Sequence, residues 1–197
     1  ESLGALTVSA ENIRTPYLSI KYQGLAGARS SVSVAESSLA VMTVVGGGAA
    51  DVRVTGTQAT DMFIKLDSSR DRTARSSVSL HDNDCDGVLD ISTLGTTDVA
   101  VSSSRATDMF LKVDGSPNKS ARSSVSLVDV ACDGQLEIAA RGTTDVSGSQ
   151  LACVDLFLKL DNSLDRSASS SVKLTECATK GQLSVGTGDG PVRLELT

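Results

Sequence analysis

The segment TDMFIKLD at residues 60–67 decides the fold, because close copies of it recur as TDMFLKVD at 107–114 and VDLFLKLD at 154–161. These copies hold all the phenylalanines of the chain: Phe63, Phe110 and Phe157. Apolar residues occupy every second position of each copy, which is the pattern of a half-buried β-strand. The segment therefore predicts a strand that returns at a fixed interval.

That interval is 47 residues, the distance between the lysines that follow each phenylalanine, Lys65, Lys112 and Lys159. Other segments recur with it, among them ARSSV and GTTDV. Repeats of this kind stack or close into a ring, because one unit cannot bury its own apolar face. We interpret residues 1–197 as a single repeat-built β domain, with four units and a terminal strand at 6–52, 53–99, 100–146, 147–191 and 191–197.

Each unit reads as four short strands separated by turn-forming residues, and no stretch has the period of a helix. In the second unit, Val78 and Leu80 share one face of a strand while Ser77 and Ser79 share the other. The prediction is an all-β, β-solenoid-like fold of four-strand repeats, in which a unit makes one coil or two. A four-bladed propeller and a β-sandwich are the alternatives.

Composition excludes several classes of function. The net charge of −6 argues against nucleic-acid binding, which depends on neutralising phosphates. No apolar run approaches the roughly 18 residues that span a membrane. We expect no enzyme, because the candidate acids, Asp61, Asp108 and Asp155, recur once per unit, whereas catalytic residues normally break a repeat.

One acidic segment, DNDCDG at 82–87, has the opening of a calcium-binding loop, with aspartates at alternate positions and a glycine at the sixth. It makes calcium a candidate cofactor, with the ligands Asp82, Asp84, Asp86 and Asp90. Thr93 stands where such a loop needs a bidentate glutamate. The alternative interpretation is a solvated acidic turn.

Four cysteines are candidates for disulfides: Cys85, Cys132, Cys153 and Cys177. Cys85 and Cys132 are equivalent positions of successive units. If one unit makes one coil they lie ~4.8 Å apart, within disulfide range, and if it makes two coils they lie ~10 Å apart and do not bond. Cys153 and Cys177 both belong to the fourth unit and are candidates for a pair within it. Unpaired thiols are the alternative for all four.

The succession of LKLD, a polar loop, SSVSL and a strand after Asp-Gly resembles the β-repeats of phage tail-fibre shafts and of prokaryotic surface filaments. The resemblance covers units two to four and implies a structural, assembling role outside the cell or on a virion or cell surface. We therefore expect the chain to bind copies of itself. A carbohydrate-binding or adhesion module for cell-surface glycans is the alternative function.

Two features are candidates for the contact between copies. Alternation places Phe63, Phe110 and Phe157 on the more polar face of their strands, which indicates either a strand buried on both sides or a stripe that meets a partner. The second feature is the terminal strand, with its apolar residues Val192, Leu194 and Leu196. This strand either closes the fold on the first unit or pairs with a neighbouring subunit.

Overall fold

The computed structural model describes residues 4–24, 27–69, 74–115, 122–162, 169–188 and 191–197. Over these ranges the chain is all-β and winds into a parallel β-solenoid of about seven turns, which confirms the solenoid-like prediction. The propeller and the sandwich are wrong, because every strand-to-strand pairing in the described residues is parallel and joins one coil to the next.

Two parallel sheets form opposite walls of the solenoid and join through the long strand β9, whose first half lies in the first sheet and whose second half lies in the second. The first sheet contains β1 (Thr7–Glu11), β3 (Arg29–Ala35), β5 (Ala49–Thr55), β7 (Arg75–His81), β9 (Thr96–Asp114), β10 (Ser123–Cys132), β12 (Thr144–Cys153), β14 (Ser170–Thr179) and β16 (Val192–Leu196). The second contains β2 (Arg14–Gln23), β4 (Ser38–Gly47), β6 (Gln58–Asp67), β8 (Asp84–Leu94), the end of β9, β11 (Gln135–Arg141), β13 (Asp155–Asp161) and β15 (Leu183–Thr187).

Each 47-residue unit makes two coils, and the coils alternate in length. Asp51 and Ser77 are partners in register that lie 26 residues apart. His81 and Ser102, one coil further on, are partners 21 residues apart. A long and a short coil together take up one repeat, which is why the sequence repeats over two coils and not over one.

The core consists of columns of like side chains that run along the solenoid. In the first sheet one column is a ladder of buried valines, Val32, Val52, Val78, Val99, Val125, Val146 and Val172. In the second sheet the facing column contains Met42, Met62, Leu89, Met109, Leu136 and Leu156, each at most 1% exposed. Alternation places these residues inside, as the sequence predicts.

The corner between the sheets explains why the aspartate of TDMF and the glycine of Asp-Gly recur together. The Asp61 carboxylate accepts a 2.9 Å hydrogen bond from the backbone N–H of Val88, in the next coil. A Cβ on Gly87 would lie 2.6 Å from that carboxylate oxygen and 2.9 Å from the Thr60 carbonyl. A side chain therefore does not fit at residue 87 unless the corner shifts.

The same corner recurs one and two repeats later. Asp108 accepts the N–H of Gln135 beside Gly134, and Asp155 accepts the N–H of Gln182. These repeated acids thus satisfy backbone donors that a turning chain leaves unpaired. Their role here is structural.

The terminal strand β16 does not close the fold on the first unit, so that alternative is wrong. It pairs in parallel with β14 and simply adds one more strand to the first sheet. Among the described residues its other edge has no partner, and the far edge of β1 is likewise open. Within the described residues the first sheet therefore has one unpaired edge on β1 and one on β16.

Candidate functional site

The C-terminal end of the solenoid exposes the apolar columns of the core. Leu194 and Leu196 continue the columns of Val172 and Leu174, yet they are 42% and 45% exposed. Val192, the third candidate, is half-buried. The last coil thus carries inward-facing side chains with no coil beyond them in the described residues.

A recess of about 280 Å³ opens between Leu196 and the preceding coil. Its walls include Leu156, Leu174 and Leu196, together with Leu183, which is 45% exposed. Among the described residues, β15 and β16 border this recess with one unpaired edge each, and unpaired edges of this kind are templates for a further β-strand.

The opposite end carries the matching columns. Val8 of β1 is in register with Val32, and Ala10 is in register with Val34. Both side chains pack partly against the core. They are the first members of the same two columns in which Leu194 and Leu196 are the last. The two ends therefore present small and large apolar side chains at equivalent positions.

The phenylalanines lie on the outer face of the second sheet, not in the core. Phe63 is 37% exposed, and Phe110 and Phe157 are half-buried. Their strands are not buried on both sides, so that interpretation is wrong. The three rings form a row along the solenoid with one ring on every second coil.

Acidic residues separate the rings in this row. Asp90 is in register with Phe63 on one side and Phe110 on the other, and Glu137 lies in the same way between Phe110 and Phe157. Burial raises the pKa of Asp90, while the nearby Lys112 acts in the opposite direction. The structure thus places a partly desolvated carboxylate between two aromatic residues.

The outer face of the first sheet carries three aspartates that are paired with arginine and serine side chains of the same sheet. Asp51 accepts hydrogen bonds from both Arg29 and Ser77, and the Arg29 contact is a two-pronged salt bridge. The bond from Arg29, followed by that from Ser77, outweighs burial and lowers the pKa of Asp51.

The same cluster of arginine, aspartate and serine recurs in the next two repeats. Arg75, Asp98 and Ser124 form one copy, and Arg122, Asp145 and Ser171 form the other. At Asp98 burial acts to raise the pKa, but the bonds from Arg75 and Ser124 prevail and lower it. Each carboxylate on this ladder has its partners within two adjacent coils.

The predicted calcium ligands are dispersed. Asp82 has a left-handed backbone, with a φ of 56°, and lies next to Asp84 at the corner between the sheets. Asp86 is exposed near the start of β8, and Asp90 lies in the phenylalanine row. Among the described residues, no three side chains of His, Cys, Asp or Glu are grouped so that they could hold a metal ion.

A polar groove of about 490 Å³ follows that corner, lined by Gln58, Asp84, Arg105 and Asp129 among others. Arg105 makes a 2.5 Å salt bridge with Asp133, and both side chains are 60% exposed. His81, the one histidine, lies on the surface with its Nδ1 3.0 Å from the Ser102 hydroxyl. The groove offers carboxylate, amide and guanidinium groups to a polar ligand.

All four cysteines are free, so the structure contains no disulfide. Cys85 and Cys132 are both in register with Ala106, one coil on each side of it, so they are two coils apart and cannot bond. Cys177 is in register with Leu151, two positions from Cys153, so these two thiols are also offset.

Burial controls the chemistry of these thiols. It raises the pKa of Cys132 to about 12, with further contributions from Cys153 and two aspartates, and it raises the pKa of Cys85 to about 11. The Cys85 thiol also donates to the Thr60 carbonyl at 3.1 Å. Thiols of this kind stay protonated and act as small apolar side chains, not as nucleophiles.

Comparison with protein-family models, curated proteins and solved structures gives no match for this chain. Within the described residues there is no helix long and apolar enough to cross a membrane. The fold class, a parallel β-solenoid, is therefore established from the coordinates alone. Function has to be argued from the surfaces.

Proposed function

We propose that the protein is a structural, self-assembling subunit of an extracellular filament or virus-like fibre, in which copies stack head to tail. The observation that carries the proposal is the exposure of the core columns at the C-terminal end. Leu183, Leu194 and Leu196 are all more than 40% exposed although each continues a buried column. Taking a leucine from full exposure to full burial contributes about 1.5–3 kcal/mol, and a contact that covers these leucines gains the part that belongs to their exposed surface.

The first coil of a second copy fits this end. When β1 of the next copy pairs with β16 in the register used within the solenoid, Val8 stacks on Leu194 and Ala10 stacks on Leu196. The outward residues also agree, since Thr7 then lies beside Arg193 and Ser9 beside Glu195. No like charges meet in these pairs.

A contact between two different ends is heterologous, so repetition produces an open filament unless the rotation closes a ring. In this arrangement the second sheet lacks one strand at the joint, which leaves a gap. Its last strand is β15, which comes before β16 in the chain, and its next strand is β2 of the following copy, which comes after β1. Leu183 borders that gap. The joint therefore depends on the first sheet, and above all on β16.

Electron microscopy of the purified chain tests the proposal. We expect unbranched filaments with an axial repeat of about 43 Å, since nine strands of the first sheet at ~4.8 Å each form one subunit. The double variant Leu194→Asp, Leu196→Asp is expected to remain a folded monomer, because it places charges only on an exposed end. Val128→Asp is the matched control, as Val128 is 43% exposed on the first sheet away from the ends.

Filaments formed equally well by the double leucine variant would contradict head-to-tail stacking. A monomer that unfolds when residues 191–197 are deleted would show that β16 serves the stability of its own chain. A chain that stays dispersed at every concentration, with an intact β-sheet spectrum, would remove the structural proposal altogether.

The second candidate function is a carbohydrate-binding module, and the polar corner groove favours it. Asp84, Asp129 and Arg105 there present acceptors and donors at the spacing of stacked coils. A glycan array with the monomeric leucine variant tests this function. Binding that is lost in Arg105→Ala but kept in Val128→Asp would support it, whereas an array without signal would exclude the glycans it displays.

A further inference from the structure

We propose that the outer face of the second sheet is a dimer interface, on which a second copy packs face to face with its solenoid axis reversed. The inference is independent of the head-to-tail contact, because it uses a wall of the solenoid and not its ends. It rests on the shape of that wall, on the arrangement of its charges and on its area.

The wall is corrugated with a period of two coils. The ridge strands, which we define as β6, β9 and β13, carry a phenylalanine and, two residues later, an exposed lysine. The groove strands, which we define as β4, β8, β11 and β15, alternate with the ridge strands and carry pairs of shorter side chains at the same two positions. These pairs are Thr43 with Val45, Asp90 with Ser92, Glu137 with Ala139, and Ser184 with Gly186.

Strand order makes this surface complementary to itself. The second sheet contains eight strands in the order β2, β4, β6, β8, β9, β11, β13 and β15, so its centre lies between β8 and β9. A two-fold axis through that centre, parallel to the strands, places β9 of one copy over β8 of the other and β6 over β11. Every ridge strand then faces a groove strand, and all eight strands overlap.

The side-chain pairs in this arrangement match in size and avoid like charges. Phe110 lies over the shorter Asp90 of the second copy, and Lys112 lies over Ser92, so no lysine meets a lysine. Phe63 faces Glu137 by the same operation. In the alternative arrangement the two-fold axis runs along the solenoid, so each strand lies over its own copy in the opposite direction. Asp61 of one copy then faces Asp67 of the other, and two carboxylates of like charge repel each other.

The area is sufficient for a stable dimer. Eight strands spaced ~4.8 Å apart span about 34 Å across the sheet, and each strand is about 20 Å long. Each copy therefore contributes about 680 Å² to the interface. The total of about 1,360 Å² lies within the roughly 1,200–2,000 Å² of specific interfaces. Face-to-face sheets pack ~10 Å apart, a separation that interlocking phenylalanine side chains fill.

Sedimentation equilibrium tests the dimer in the background of Leu194→Asp and Leu196→Asp, which blocks the ends. We expect a monomer–dimer equilibrium, and Phe110→Ser is expected to raise the dissociation constant at least tenfold. The effect is large because Phe110 lies next to the two-fold axis of the dimer, so one substitution removes two ring contacts, one from each copy. Val128→Ser, an exposed apolar residue of the other wall, is the matched control and leaves the dissociation constant unchanged.

A second variant distinguishes interlocking from general stickiness. Ser92→Phe fills the groove that receives Lys112 of the second copy, while it adds apolar surface to the wall. If the two surfaces interlock, Ser92→Phe raises the dissociation constant of the dimer at least tenfold. If the contact is an unspecific apolar one, the same substitution lowers it. A tighter dimer in Ser92→Phe, or a background protein that stays monomeric at high concentration, would overturn the proposal. Circular dichroism of each variant shows whether the monomer is still folded.

Discussion

The two outer walls of the solenoid are built from the same kind of strand, but the aspartates of the first wall and Asp90 of the second have different surroundings. On the first sheet, Asp51, Asp98 and Asp145 each bind an arginine and a serine from neighbouring coils. On the second sheet, Asp90 lies between two phenylalanines, and its pKa moves upward. These three aspartates are therefore paired within their own sheet, whereas Asp90 lies beside aromatic rings, although Glu137 on the same second wall pairs with Lys159.

The contrast between inside and outside should appear most strongly on the second sheet. Leu111 is 1% exposed in the core, while Phe110, its neighbour in the chain, lies on the outer wall. Leu111→Ala is expected to lower the free energy of unfolding by about 2–5 kcal/mol through lost burial and a cavity. Phe110→Ala in the monomeric background is expected to cost under about 1 kcal/mol, like most surface changes.

Urea denaturation of both variants measures the difference. Phe157→Ala serves as a second outer-wall control in another repeat. A loss at Phe110 as large as that at Leu111 would mean that the ring contributes to the monomer's core, and the contrast between the inner and outer faces of the second sheet would then fail.

The strands could be predicted from the sequence because each one alternates in a simple way. Ser77, Val78 and Ser79 already show which side is buried, and the valine ladder then follows from stacking equivalent strands. The number of coils per repeat could not be predicted. Successive coils differ in length and in the residues on their outer faces. The sequence therefore repeats once every two coils.

The surfaces were harder to predict, because they depend on which coils become neighbours. Nothing local in TDMF shows that Asp61 caps a corner beside Gly87, 26 positions later in the chain. The signal that could have identified it is the joint recurrence of that aspartate and the Asp-Gly glycine. The separation of Cys85 from Cys132 likewise became clear only when the coils could be counted.

A smaller effect is expected from breaking one cluster of the first sheet. Asp98→Ala removes the acceptor of Arg75 and Ser124, and we expect a loss of about 1 kcal/mol at neutral pH. The matched control is Asp133→Ala, which breaks an exposed pair with Arg105 and is expected to cost only a few tenths of a kcal/mol.

The pH dependence of this loss has a definite sign. Because the pKa of Asp98 is lower in the folded chain, its ionised form stabilises the fold above the ordinary pKa of about 3.9. That contribution disappears as the pH falls through the folded pKa. The wild type and Asp98→Ala should therefore converge in melting temperature at strongly acidic pH, and a constant difference would show that the carboxylate's charge is irrelevant.

The smallest effect, and the sharpest contrast between the walls, is expected at Asp90. Burial raises the pKa of its carboxyl, so the charge costs stability at neutral pH, while Lys112 offsets part of that cost. Asp90→Asn is therefore expected to raise the melting temperature of the monomer slightly at pH 7. The gain in melting temperature should vanish as the pH falls to the ordinary aspartate pKa of about 3.9, because the wild-type carboxyl is then uncharged, like the amide of the variant.

Glu137→Gln at the equivalent position should lower the melting temperature at pH 7, because it breaks a 2.7 Å salt bridge with Lys159. If both substitutions lower stability at pH 7, the charge of Asp90 stabilises the fold as the charges of Glu137 and of the first-sheet aspartates do, and the contrast between Asp90 and those acids fails.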